Sequence, residues 1–265
     1  MMQLIRGEFT RLWSVRLPRW VLLAAVLSGG GLTGILSLTG PENATPPMPG
    51  IDTPEGAGIT VGIGGLMLFV PALLGTIAVT SEYRHRTIGT TFLAVPQRRR
   101  VLLAKLIVYG LSGLVYGVIA SGASALALVG AAAVRGISLT IAPAELLVLL
   151  AKLAVAAAVY VVLGVAIGAL AHNQLVAVGI VLGYFYFLEY VLMIIPGLNA
   201  IYAYLPGGAT ASLTAFTFLT DTVAAEMSTS GPASMSPAGG ALILLAYCAF
   251  SSVVAALVPL RRDLT

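Results

Sequence analysis

The chain has 265 residues, of which 58% are hydrophobic and only 9% charged, with a mean hydropathy of +1.00. Soluble domains carry about 25% charged residues, so this composition cannot clothe a water-facing surface and points to a protein that lives in a bilayer. The single cysteine, Cys248, excludes a disulfide framework within the chain and a structural zinc site built from cysteines, and its apolar surroundings make it a small packing residue.

Residues 1–19 have helical periodicity: Ile5, Phe9, Leu12, Trp13 and Leu17 fall near one face, and Arg6, Arg11 and Arg16 fall elsewhere. This predicts an amphipathic helix on the membrane surface, with Trp13 at headgroup depth and the arginines toward anionic lipid; a plain basic anchor that only sets topology uses the same residues. Pro18 then separates it from the first apolar stretch.

Six apolar stretches follow, at 20–39, 59–80, 104–131, 146–170, 175–195 and 241–260. Each is long enough to cross about 30 Å of hydrocarbon as a helix. They lack the alternation of barrel strands, so the predicted fold is all-α with six transmembrane helices. The first is too long for a secretory signal core, and Ser37-Leu38-Thr39 makes a poor cleavage site.

Orientation follows from the basic residues. Arg6, Arg11, Arg16 and Arg19 precede the first stretch; Arg84, Arg86, Arg98, Arg99, Arg100 and Lys105 surround the link between the second and third; Arg261 and Arg262 lie in the tail. Of the 14 Lys and Arg, only Arg135 and Lys152 are left for the other end, which holds Glu42, Asp52, Glu55, Glu145, Asp221 and Glu226. The positive-inside rule places the arginine-rich end, and both termini, in the cytoplasm.

The link at 81–100 reads as a short polar helix between basic anchors. Ser81 is expected to cap it, Glu82 to lie in its first turn, Gly89 to permit a break, and Pro96 to mark a second turn. At the opposite end, residues 40–58 read as an irregular acidic loop. In the longer loop 196–240, the segment 209–219 is apolar but too short to span, and is expected to be a re-entrant helix.

Lys152 and Glu189 are the ionisable residues inside predicted spans, each about six residues from the acidic end. At 1.5 Å per residue both lie roughly 9 Å deep. They are candidates to line a translocation path together with Tyr186, or to form a structural ion pair; Lys152 alternatively snorkels outward. Small residues four apart recur at Gly113, Gly117 and Ser121, at Gly164 and Gly168, and at Gly179 and Gly183, a spacing that permits close helix packing. His85 and His172 lie far apart in sequence, and no HExxH or serine-elbow motif is present, so no catalytic or metal residues are assigned.

The second-to-third link has the form E-Y-R-x-x-T-I-G-T-T…P-x-R-R…AK, carried by Glu82, Tyr83, Arg84, Thr87, Ile88, Gly89, Thr90, Pro96, Arg98, Arg99, Ala104 and Lys105. Together with the opening Glu8-Phe9-Thr10-Arg11-Leu12, six spans and a non-spanning helical segment before the last span, it resembles the permease subunits of type-2 ATP-binding-cassette exporters. The resemblance implies a dimer of permeases, as homodimer or heterodimer, forming a translocation path. It also implies a connecting helix at residues 3–17 and a coupling helix at Glu82 to Thr91 that contacts a separate ATPase. No G-x-x-x-x-G-K-[ST] loop occurs here, so ATP and Mg belong to that partner and this chain is expected to bind no cofactor and to be no enzyme. Nucleic acid is not an expected partner. High Ala, Gly and Arg content suggests a bacterial source, and hence an inner (cell) membrane location. The competing reading is a non-transporting polytopic scaffold or sensor accessory protein, for which the same helices serve assembly alone.

Overall fold

The computed structural model describes residues 1–14, 17–85, 98–171, 173–227 and 235–257. These residues are all-α, without strands. An N-terminal helix α1 (Met2–Ser14) precedes six helices long and apolar enough to span a membrane. These are α2 (Arg19–Thr39), α3 (Pro54–Arg84), α4 (Arg98–Arg135), α5 (Pro143–Ala171), α6 (Gln174–Ile194) and α10 (Pro237–Leu257). Between α6 and α10 lie three short helices, α7 (Asn199–Tyr202), α8 (Pro206–Thr214) and α9 (Phe218–Met227).

These helices overlap the six apolar stretches, and α3, α4 and α5 run beyond theirs at both ends. Helix α3 starts at Pro54, ahead of residue 59, because Thr53 caps it: its hydroxyl accepts the Gly56 amide at 3.0 Å. It also runs on to Arg84, so Ser81 and Glu82 lie in its last turn and do not begin a new helix. The Ser81 hydroxyl donates to the Ala78 carbonyl at 3.2 Å, which leaves it no capping role. Helix α4 has 38 residues, about 57 Å of helix, which exceeds the hydrocarbon thickness and carries it beyond the bilayer or into a tilt. Helix α6 is started by Asn173, whose Oδ1 accepts from Leu175 and Val176.

Helix α5 is the most buried span and packs against α3, α4 and α10. Glycines set its crossings. A side chain at Gly164 would place its Cβ 1.9 Å from the Ala72 carbonyl oxygen, and one at Gly75 would place it 2.1 Å from that of Val161, so α3 and α5 meet backbone to backbone. Gly113 and Gly117 do the same for α4 against Ala158 and Ala154. Gly179 and Gly183 differ: nothing lies within 4 Å of their added Cβ positions, so this pair makes no crossing among the described residues.

The segment around 209–219 does not form one helix. Helix α8 has nine residues, roughly 14 Å, too short to cross, and it packs on α10. It ends at Ala215 in the left-handed conformation, after which α9 begins at Phe218.

Candidate functional site

Two places bring ionisable residues into the helix bundle. At the arginine-rich end, Lys105 of α4 is 3% exposed, and its ammonium donates to both carboxylate oxygens of Glu8 in α1, at 2.8 and 2.9 Å. It also pairs with Glu82 of α3, and Glu82 receives Arg11 of α1 at 2.7 Å. Two carboxylates and two cations from three helices therefore form one knot. Burying any of these charges alone would be costly, and only their mutual pairing makes the site tenable. The N-terminal helix α1 is thereby fixed to the ends of α3 and α4.

Arg11 reaches Glu82 from α1, which packs along α4. Glu82 is 1% exposed and turned into the knot, whereas Tyr83 is half-buried and Arg84 is exposed. The Arg84 guanidinium donates to Gln174 Oε1 at 3.3 Å, joining the end of α3 to the start of α6. Thr87, Ile88, Gly89 and Thr90 lie outside the described residues, as do Arg16, Arg86, Pro96 and His172.

The second place is Glu189, near the acidic end of α6. A widened, π-helical stretch at Leu182–Leu188 leads directly into it, an irregularity often found at functional positions. The Glu189 side chain is 2% exposed. Its Oε2 accepts the Gly207 amide at 2.7 Å, and so caps the first turn of α8, where Leu205 offers no side-chain cap. Gly207 is needed for this approach, since a Cβ there would lie 2.2 Å from Oε2. The other oxygen, Oε1, has no hydrogen-bond partner among the described residues. Glu189 lines a cavity of about 30 Å³ whose walls include Tyr160, Tyr190, Tyr202, Thr210 and Phe216.

Among the described residues no ion pair joins Lys152 to Glu189. Their shared depth is offset by the position of α8, whose N-terminus takes the carboxylate. Lys152 instead lines an open vestibule of about 810 Å³ with Glu55, Glu145 and Asp221. Tyr186 does not line the Glu189 cavity; it is 57% exposed and stacks on Phe69 at 5.1 Å between ring centroids. Tyr160, Tyr202 and Gly207 are the residues that sequence reading missed. The Pro206-Gly207-Gly208 run was the available signal, a helix start with room for an approaching carboxylate.

A six-span helical protein tied at one end to an N-terminal helix fits what comparison with known families shows. Residues 19–188, more than half of the chain, match the family described as ABC-2 family transporter protein. The chain belongs to the ABC-2 transporter family. No curated protein matches the chain significantly. As an ABC-2 family member it is a membrane component of an ABC transporter, a transmembrane subunit distinct from the ATPase, and the family implies an ABC ATPase as its partner in general.

Proposed function

We propose that this chain is the permease subunit of an ATP-driven exporter, working as a dimer in a cell membrane with its arginine-rich end in the cytoplasm. ATP and Mg bind the partner ATPase. The observation that carries the reading is the buried knot of Glu8, Arg11, Glu82 and Lys105. It joins the N-terminal helix to both flanks of the 81–100 link, so a force applied at the link moves α1, α3 and α4 together. A partner ATPase that closes on ATP would thus act on three helices at once, and the path between two permeases would open toward the acidic end in an alternating-access cycle. The exposed Phe9, Trp13 and Trp20 suit a helix pair seated at headgroup depth on the same side.

The test separates coupling from folding. Arg84 is exposed and at the mouth of the link, so Arg84→Ala is expected to leave membrane insertion and thermal stability close to wild type. In the reconstituted complex with its ATPase, transport and substrate-stimulated ATP hydrolysis should both fall by at least tenfold. Unchanged rates for both would overturn the coupling role. Co-purification of the tagged chain without any phosphate-loop ATPase would favour the scaffold reading instead.

A further inference from the structure

Glu189 is a carboxylate placed where a carboxylate is expensive, and half of it is unused. Capping α8 accounts for Oε2. A serine or asparagine would cap as well, without a buried charge. Oε1 has no hydrogen-bond partner among the described residues, and Glu189 lines the small cavity. The remaining walls define what that space attracts. Tyr160, Tyr190, Tyr202 and Phe216 present ring surfaces, and Thr210 with the tyrosines supplies hydroxyls. A carboxylate among aromatic faces and hydroxyl groups is the environment that favours an organic cation: the rings attract it by their quadrupoles, and the oxygens accept its N–H bonds.

Size narrows the class. The cavity's 30 Å³ exceeds the 10–15 Å³ that one water needs, so it admits an ammonium and little more, and a trimethylammonium is too large. The cavity has a larger neighbour: Thr214 and Phe216 line both it and the vestibule of about 810 Å³. That vestibule carries, among the described residues, Glu55, Glu145 and Asp221 against the one cation Lys152, with apolar walls such as Val148, Leu149 and Phe218. Its net negative charge raises the local concentration of cations, and its apolar walls cover a hydrocarbon tail.

We propose that Glu189 and its cavity form a binding site for the ammonium end of an aliphatic primary amine, with the rest of the molecule lying in the vestibule. The inference gives the exporter reading a substrate class and rests on that reading for its physiological meaning; the site itself requires only the permease chain.

The experiment is calorimetric titration of the full chain in lipid nanodiscs, with empty nanodiscs subtracted, using n-octylamine, octyltrimethylammonium, octanol and ammonium chloride. Octylamine should bind the wild type, and Glu189→Gln should weaken it roughly 30-fold, the usual result of removing one partner of a buried charge pair. Octyltrimethylammonium and octanol should show no dependence on residue 189. Equal octylamine affinity in wild type and Glu189→Gln overturns the proposal. If the variant does not fold, the wild type alone decides: binding of octylamine at least tenfold tighter than octyltrimethylammonium supports the site, and equal or reversed preference overturns it. Displacement of octylamine by millimolar ammonium chloride would assign the site to the bare ion and overturn the amine assignment. Because no ATPase is present, octylamine binding without octylamine transport in the full complex would count against the exporter reading and leave the site standing.

Discussion

The two ends of this molecule bury carboxylates in opposite ways. At the arginine-rich end, Glu8 and Glu82 are met by Lys105 and Arg11, and every contact crosses from one helix to another. At the acidic end, Glu189 has, among the described residues, one backbone amide, from Gly207, and lines a small cavity with Tyr160, Tyr190 and Tyr202. The same chemical group is therefore a tie in one place and a receptor in the other. What distinguishes them is local cation supply. A compensated charge holds elements together, whereas an uncompensated one is retained where a ligand or a movement needs it.

The largest effect should come from breaking the tie. Lys105→Met removes the cation that Glu8 and Glu82 share and leaves Arg11 on Glu82, and removal of one partner from a buried pair costs about 3–5 kcal/mol. Thermal unfolding in detergent should show a large loss of stability. Adding Glu82→Gln to Lys105→Met should recover part of it, because fewer buried charges then lack compensation. If the single variant were as stable as wild type, the knot would not be what fixes α1 to the bundle.

A smaller effect probes the receptor end. Gly207→Ala places a methyl 2.2 Å from Glu189 Oε2, so the carboxylate must leave the α8 amide. The expected cost is about 1–3 kcal/mol for steric displacement together with loss of the cap. Gly179→Ala is the control, since nothing lies within 4 Å there, and its stability should stay within about 0.5 kcal/mol of wild type. Equal losses in the two variants would show that Glu189 is not held by α8 and would remove the contrast between the two ends.

Much of this architecture was legible in the sequence, for a physical reason. Hydrocarbon admits only helices and closed barrels, so long apolar runs without alternation report helices directly, and six helices long and apolar enough to span lie near the expected positions. The extended helix ends were less legible, because Thr53 and Asn173 caps decide them and not hydropathy. The charged knot was hidden because its partners are separated by 97 and 23 residues, and Lys105 reads locally as one more topology-setting cation. Of the readings open for Lys152 and Glu189, the ion pair is absent among the described residues for a similar reason. Depth along two helices was readable, but insertion of the N-terminus of α8 beside Glu189 depends on how the loop after α6 folds back. Small-residue spacing alone did not tell Gly164 and Gly168, which meet α3, from Gly179 and Gly183, which meet nothing among the described residues.

The smallest effect belongs to a fourth carboxylate, which lies between the two extremes. Glu42, in the loop after α2, is exposed and pairs with Arg135 at the end of α4, whose guanidinium also donates to the Ser37 carbonyl at 3.0 Å. The backbone amide of Glu42 itself, and then Arg135, hold its carboxyl below the ordinary value of 4.5. A carboxyl lowered by folding adds stability above its unfolded value, and that contribution is lost as pH falls through the lower folded value. Solvent screens this pair, so the contribution at neutral pH should be no more than about 1 kcal/mol. Melting curves of wild type and Glu42→Gln should therefore separate slightly above pH 4.5, with wild type the more stable, and converge in stronger acid. High salt should close the gap at neutral pH, as screening does for exposed pairs. A gap as large as that of Lys105→Met would mean that exposure does not set the strength of these pairs, and the contrast between tie and receptor would need another cause.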